Sequence, residues 1–237
     1  KTVCLMDGTG SMGGLLQKAK STVGTMFERA CDVLKDNKMD TNCFQLQFAV
    51  YRDYDCKLEG LLETSPWETK PDNLRVFMEK ISAKGGGDYE EAIEIGLWHA
   101  NQENEKDGIS QVILIGDAPA KNESQIQEYR KSYGGEEYWK SSKFKEPTHY
   151  LYELQKLKNK SVPVHTFFIE SGAESNFREI ATKSGGRCER LDVNSSSGAQ
   201  ILTDLVTEEI LRNIGQSNGS SETLVNAYRS KFGKSYK

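Results

Sequence analysis

Residues 2–14 read TVCLMDGTGSMGG, and this stretch indicates both a class of fold and a binding loop. The apolar run at its start is too short for a helix and stops at Asp7, so it predicts a buried strand over residues 2–6. Apolar residues then recur at helical spacing over residues 13–38. A strand that leads through a glycine-rich turn into a helix is the opening unit of an α/β fold.

Strands and helices alternate along most of the chain in the same way. The run QVILIGD at 111–117 contains four consecutive aliphatic residues, as expected of a central parallel strand that is buried on both faces. Further strands are predicted at 44–51, 57–63, 162–170 and 187–191. Further helices are predicted at 71–82, 89–102, 148–159, 174–184 and 199–214. We therefore predict a Rossmann-like, doubly wound α/β fold with six mostly parallel strands, one antiparallel edge strand, and helices on both faces of the sheet.

The bulk composition is that of a globular domain. Of the 237 residues, 36% are hydrophobic and 28% are charged, which suits a single domain with a full core. We place this domain at residues 1–215, with a polar stretch around 120–147 that is either a long loop or an insertion with a short helix. At 216–237 we expect a linker and tail with a short helix at 222–232. The formal net charge of -4, without a dense Lys/Arg stripe, argues against a nucleic-acid partner. No apolar run approaches the roughly 20 residues of a membrane span, so no membrane insertion is expected.

The cysteines are odd in number, and no C-x-x-C pair suggests zinc. They are Cys4, Cys31, Cys43, Cys56 and Cys188. This pattern favours a reducing, cytoplasmic compartment, with an extracellular location as the alternative. Lys1 leads directly into the first strand, so we expect a domain excised from a longer protein. No oligomeric state is predicted.

The glycine-rich loop suits two different ligands. Its glycines spell G-x-G-x-x-G over residues 8–13, directly after a strand, which is the pattern of a dinucleotide-binding turn. The residues Asp7, Thr9 and Ser11 spell D-x-T-x-S. This second pattern places three oxygen-bearing side chains on one turn, and such oxygens are the ligands of hard divalent cations.

Two acidic residues from other loops favour the cation. In the common strand order 3-2-1-4-5-6, ligands bind between the carboxyl ends of strands 1 and 4, where the order reverses. Asp117 ends strand 4, and Asp88 ends the GGGD loop before the helix that leads into it. A pyrophosphate would be repelled by Asp7, Asp88 and Asp117, whereas Mg²⁺, Mn²⁺ or Ca²⁺ prefers such ligands. The dinucleotide pattern also needs an acid about 20 residues after its glycines, and that interval here lies inside a long helix.

Structural roles stay open for each of these residues. The D-x-T-x-S residues could cap the helix that follows them, and Asp88 could be the N-cap of the helix at 89–102. Asp117 precedes Ala-Pro and could be a turn residue. Asp53 is expected to be a solvated loop acid or a partner of Arg52, with an indirect role beside the cation site as the alternative. The scattered histidines are expected to be packing or surface residues.

Together these motifs resemble a von Willebrand factor A (vWA) domain with a metal-ion-dependent adhesion site. The resemblance rests on DGTGS at 7–11, the glycine-rich loop at 85–88 and the buried strand that ends in Asp117. Three further phrases resemble the branch found in hemicentins and in proteins with an alpha-type kinase domain. They are YRD at 51–53, GGGDYEEA at 85–92 and GDAPA at 116–120.

The resemblance implies a Mg²⁺ site, with Mn²⁺ or Ca²⁺ as alternatives, formed by Asp7, Thr9, Ser11, Asp88 and Asp117. In this family the hydroxyls bind the ion directly, and the carboxylates bind it directly or through water. A carboxylate from an Asp or Glu of a partner protein then fills the open position. Most adhesion-type members carry Thr where Asp88 stands. Asp88 therefore implies either an added charge at the ion or a contact through water.

The expected function is a non-catalytic, adhesion-type protein-interaction module. A D-x-D phosphotransferase would need Asp at position 9, where Thr stands. Neither a P-loop nor a G-x-S-x-G motif occurs, so no catalytic residues are predicted. The alternative is a regulatory domain of a larger alpha-type kinase, or of another metal-dependent enzyme, whose catalytic part lies outside this chain.

Overall fold

A computed structural model describes residues 1–192, 197–217 and 219–233. Within these ranges the strands form one sheet. They are β1 (Thr2–Asp7), β2 (Leu46–Tyr51), β3 (Leu62–Thr64), β4 (Gln111–Gly116), β5 (Val164–Phe168) and β6 (Cys188–Arg190). Their spatial order is β3-β2-β1-β4-β5-β6, which is the order assumed from the sequence. All neighbours are parallel except β2 and β3, so the predicted antiparallel edge strand is confirmed.

The edge strand is shorter than predicted. A strand was expected over 57–63, but residues Leu58–Leu61 form a helical turn, α2, and β3 begins at Leu62. The backbone N–H groups of Gly60 and Leu61 both donate to the carbonyl oxygen of Lys57, at 2.8 and 3.0 Å. These local hydrogen bonds replace sheet pairing in the first half of the segment.

Helices cover both faces of the sheet, as predicted. In addition to α2 they are α1 (Gly13–Asp36), α3 (Pro71–Lys80), α4 (Ile93–Asp107), α5 (Glu123–Ser132), α6 (Gly135–Lys140), α7 (Tyr150–Asn159), α8 (Glu174–Ser184), α9 (Gly198–Gln216) and α10 (Ser221–Phe232). Because side chains alternate along a strand, Cys4 and Met6 of β1 face one hydrophobic core, and Val3 and Leu5 face the other. The first core is completed by α1, α3, α9 and α10, and the second by α4 to α8.

Helix α4 begins later than predicted. It was expected from residue 89, but residues 88–90 form a bend, Glu91 lies in an isolated bridge with Ala120, and the helix begins at Ile93. The N–H of Glu91 donates to the carbonyl of Pro119 at 2.9 Å, and the N–H of Lys121 donates to the carbonyl of Glu91 at 3.1 Å. This short parallel bridge holds the segment away from helical geometry. The N-cap of α4 is Ala92, so the interpretation of Asp88 as the N-cap is wrong.

The polar segment at 120–147 is an insertion that contains two helices, α5 and α6. Asn122 and Gln125 form a reciprocal capping box at the start of α5. Trp139 of α6 is fully buried and donates its indole N–H to the carbonyl of Arg130 at 2.9 Å. The guanidinium of Arg130 in turn donates to the carbonyl of Phe144 at 2.9 Å. These contacts fold the insertion onto the second core.

The segment after residue 215 includes a packed helix. Leu224 and Tyr228 of α10 are buried in the first core, and Arg229 donates two hydrogen bonds to Glu208 of α9, at 2.9 and 2.7 Å. The domain boundary at 215 stays a prediction, and residues 218 and 234–237 of the expected tail lie outside the described residues. None of the described helices combines the length and apolar character of a membrane span.

Candidate metal-binding site

Two acidic side chains meet at the reversal of strand order. Strands β1 and β4 are parallel neighbours, with Met6 opposite Ile115, so both strands end at the same edge. Asp7 is the last residue of β1 and is fully buried, and Asp117 follows β4 and is 8% exposed. Their carboxyl groups lie within hydrogen-bonding reach of each other. The structure therefore brings together the two acids that the sequence placed at this crevice.

The hydroxyl residues of the first loop lie beside Asp7. The backbone N–H and the hydroxyl of Thr9 both donate to Asp7 Oδ1, at 2.8 Å each. Thr9 Oγ1 lies 3.3 Å from Ser11 Oγ, and Ser11 is exposed at the surface. One Asp7 oxygen is thus occupied by the loop. The other, Oδ2, is buried and has no hydrogen-bond partner among the described residues, and neither has Asp117 Oδ1.

A glycine and a buried arginine fix this loop against β2. A Cβ atom on Gly8 would lie 2.4 Å from a methyl group of Val50, so the position has no room for a side chain. Arg52 is fully buried, and its guanidinium donates to the carbonyls of Gly8, Gly60 and Ser82 at 3.1, 2.7 and 2.8 Å. The first glycine of the G-x-G-x-x-G pattern is therefore needed for close packing of the loop against β2.

Asp88 belongs to a neighbouring ionic cluster. Its Oδ2 accepts a hydrogen bond from Lys121 Nζ at 2.7 Å, and the same ammonium lies 3.0 Å from Asp53 Oδ2. Burial alone would raise the pKa of Asp88, but hydrogen bonds with Asp53, Lys121 and Tyr129 outweigh burial and lower it. The predicted ligand Asp88 is thus held by a cation supplied by the protein itself.

The position of Asp53 differs from the expectation. It is neither a solvated acid nor a partner of Arg52, because it is fully buried and paired with the buried Lys121. Burial lowers the pKa of Lys121, but the hydrogen bonds and charges of Asp88 and Asp53 outweigh this effect and raise it. Lys121 was missed by sequence reasoning, because a lone lysine in a polar stretch gives no sign of burial.

A further buried acid, Glu91, was also missed. Its side chain is 3% exposed, and its Oε2 has no hydrogen-bond partner among the described residues. Burial raises the pKa of Glu91 to about 10, with the charges of Asp7 and Asp53 acting in the same direction. The GGGDYEEA phrase contained Glu91, but one glutamate in a run of acids gives no sign of burial.

The electrostatics of the site favour a cation. Burial, together with the charge of Asp117, raises the pKa of Asp7 to about 7, although the Thr9 N–H opposes the shift. Buried carboxylate oxygens without partners are costly unless a positive charge compensates them. Across the described residues, no group of three or more His, Cys, Asp or Glu side chains is arranged to hold a metal unaided. A cation here would therefore need the hydroxyls of Thr9 and Ser11 as well as carboxylates, and this donor set fits Mg²⁺ or Ca²⁺.

The comparisons agree with this architecture. A family model of the von Willebrand factor A domain matches residues 2–192, so the chain belongs to the vWA family. Among solved structures, it is similar to a von Willebrand factor type A protein from Catenulispora acidiphila, with a TM-score of 0.54 and 14% identity. The similarity covers 89% of this chain and 42% of that one, so this chain spans less than half of its length. No curated protein matches the chain. Domains of this family are in general protein-interaction modules.

Proposed function

We propose that the chain is a non-catalytic interaction module that binds one divalent cation and, through it, an acidic residue of a partner protein. Mg²⁺ is the expected ion, and Mn²⁺ or Ca²⁺ could replace it. The observation that carries the proposal is the pair of buried, unpartnered oxygens, Asp7 Oδ2 and Asp117 Oδ1, beside the hydroxyls of Thr9 and Ser11. This is the donor set of a metal-ion-dependent adhesion site.

The arrangement gives each donor a separate role. Asp7 Oδ1 accepts the Thr9 hydroxyl proton, which directs the lone pairs of that hydroxyl away from Asp7. Ser11 is exposed at the mouth of the site, so a partner can approach from its side. A bound divalent cation would supply the positive charge that attracts a carboxylate of the partner. Asp7 and Asp117 lie deeper and are shielded from that partner by burial.

Cation titration by calorimetry tests the metal site. We expect wild-type protein to bind one Mg²⁺, and we expect Ser11→Ala to weaken binding by at least tenfold because it removes a direct ligand. Ser21→Ala is a matched control, since Ser21 lies exposed on α1 and its hydroxyl only donates to the carbonyl of Lys18. Equal binding by wild type and Ser11→Ala would show that the site is misplaced.

Peptide display tests the acidic partner. Peptides with a central Asp or Glu would be selected on immobilised protein in Mg²⁺ and compared with their Asn and Gln counterparts. We expect the acidic peptides to bind in Mg²⁺ and to be released by a chelator. Binding that survives the chelator, or that is unchanged by Asn and Gln, would exclude metal-dependent adhesion.

We also infer that the chain falls in the branch found in hemicentins and alpha-kinase-associated proteins. Two residues of the shared YRD phrase have structural roles beside the site. Arg52 donates a hydrogen bond to the carbonyl of Gly8, and Asp53 forms an ion pair with Lys121. The same motifs are compatible with a regulatory domain of a larger kinase. The sequence of the full-length parent protein would decide between these contexts.

A further inference from the structure

We propose that a cleft beside α5 binds an arginine side chain of a partner protein. The cleft has a volume of about 400 Å³, and its lining includes Asp88, Glu90, Glu128, Tyr129 and Tyr133. We call it the tyrosine cleft. No lysine or arginine of the described chain lines it. Binding there needs no metal ion, so this inference goes beyond the proposed cation site and is independent of it.

Two stacked tyrosines form one wall of the tyrosine cleft. The ring centroids of Tyr129 and Tyr133 are 5.8 Å apart, with an angle of 17° between the ring planes. A cation already lies over the first ring, since Lys121 Nζ is 4.3 Å from the centroid of Tyr129. Tyr133 is 41% exposed. Because the face of an aromatic ring attracts cations, the exposed ring of Tyr133 offers a second cation the same kind of contact.

The end of α5 holds the exposed ring in place. The N–H of Tyr133 donates to the carbonyl of Tyr129 at 2.8 Å, so the two side chains lie one helical turn apart on the same side. The chain then turns at Gly134, which has a φ of +97° that favours glycine. A Cβ atom there would lie 2.4 Å from a ring carbon of Tyr138. The aromatic wall is therefore ordered before a ligand arrives, which lowers the entropic cost of binding.

Two of the three acids in the tyrosine cleft have no positive partner. Asp88 accepts a hydrogen bond from Lys121 at 2.7 Å, whereas Glu90 and Glu128 form no salt bridge within the described part of the chain. Glu128 is exposed and Glu90 is partly exposed, so both can accept hydrogen bonds from a ligand. Exposed acids attract any cation. Acids beside an aromatic face favour a guanidinium, because this group is planar, stacks on rings and donates several hydrogen bonds in its plane.

The position of the tyrosine cleft gives the insertion at 120–147 a role in recognition. Helix α5 supplies one wall, and the loop that carries Asp88 and Glu90 supplies the other. The bridge between Glu91 and Ala120 joins the two walls. Since vWA domains are in general protein-interaction modules, we assign the arginine to a segment of a partner protein.

NMR titration in chelator with short peptides tests the assignment. The probe is the blocked peptide Gly-Gly-Arg-Gly-Gly. Matched peptides replace the arginine with lysine or with citrulline, which keeps the shape of arginine without its charge. We expect the amide signals of Glu128 and Tyr133 to shift, with citrulline about tenfold and lysine about threefold weaker than arginine. Citrulline or lysine binding as tightly as arginine, or shifts confined to another surface, would overturn the proposal.

Matched variants locate the bound arginine. We expect Tyr133→Leu, which removes the exposed ring, and Glu128→Gln, which removes a charge, each to weaken binding about two- to fivefold. The controls Tyr152→Leu and Glu105→Gln, at exposed positions of α7 and α4, should leave it unchanged. Wild-type affinity in Tyr133→Leu or Glu128→Gln would overturn the proposal. Because chelator is present throughout, loss of the arginine response refutes the tyrosine cleft alone, and absence of Mg²⁺ binding refutes the cation site alone.

Discussion

Replacing Asp7 with Asn should stabilise the cation-free protein and abolish cation binding. In the folded chain, burial and the Asp117 charge raise the pKa of Asp7 from 3.8 to about 7. A group whose pKa is raised by about three units lowers stability by roughly 4 kcal/mol at pH values above the raised pKa. An Asn side chain removes this cost. It keeps the acceptor for both Thr9 donors, and its amide can donate to the unpartnered Asp117 Oδ1.

The sign of the pH dependence follows from the direction of the shift. Because the folded protein holds the Asp7 proton more tightly than the unfolded chain does, Asp7 destabilises the fold above pH 7. This penalty fades as the pH falls from 7 towards 4. The advantage of Asp7→Asn should therefore be greatest at pH 8 and nearly absent at pH 4. We expect a gain in the free energy of unfolding of roughly 2–4 kcal/mol at pH 8.

Urea unfolding in chelator and in Mg²⁺ measures both effects. In chelator at pH 8, Asp7→Asn should unfold at higher urea than wild type, and its melting temperature should rise by roughly 5–15 °C. At 100 times the dissociation constant, Mg²⁺ should stabilise wild type by about 2.7 kcal/mol and leave the variant unchanged. The control variant Asp72→Asn, at an exposed position in α3, should have the stability of wild type in chelator and the same stabilisation by Mg²⁺. A less stable Asp7→Asn in chelator at pH 8, or an advantage that persists at pH 4, would refute the reasoning.

Three further predictions concern the surroundings of the site. Burial lowers the pKa of His99 from 6.5 to about 4, so His99→Gln should reduce the loss of stability between pH 6.5 and 4, by up to about 1.4 kcal/mol per pH unit. We expect Gly8→Ala to lower the free energy of unfolding, measured in urea, by roughly 1–3 kcal/mol, because the added methyl group would clash with Val50. Gly14 has open space around it, so Gly14→Ala should raise the free energy of unfolding by about 0.5–1 kcal/mol. We expect Lys121→Met to lower the free energy of unfolding by roughly 3–5 kcal/mol, because it leaves the buried carboxylate of Asp53 without its ion-pair partner. Adding Asp53→Asn to this variant should restore part of the lost stability.

The fold was predictable because periodicity carries information about burial. The aliphatic run Val112 to Ile115 indicated a strand covered on both faces, and all four residues are fully buried. The adjacency of Asp7 and Asp117 followed from the strand order alone, without any knowledge of side-chain contacts. Alternating strands and helices thus located the crevice and its first two acids.

The third loop could not be predicted, because its geometry depends on distant partners. A helix was expected from residue 89, but hydrogen bonds of Glu91 to Pro119 and Lys121 hold this segment in a bridge to the loop after β4. In this conformation Glu91 is buried and Asp88 lies beside Lys121. Neither the bridge at Glu91 nor the burial of Lys121 produces a periodic pattern in the sequence. The different surroundings of Asp88 and Glu91 could therefore be recognised only in the structure.

The buried guanidinium of Arg52 has a consequence for the kinetics of binding. It joins the carbonyls of Gly8 in the first loop, Gly60 in α2 and Ser82 after α3 through one planar group. These three segments are therefore ordered when the chain folds, before any ion binds. An incoming cation should meet donors that are already arranged, so the heat-capacity change of binding should be small. Under these conditions the association rate would be set by how fast the ion sheds its own water rather than by motion of the protein.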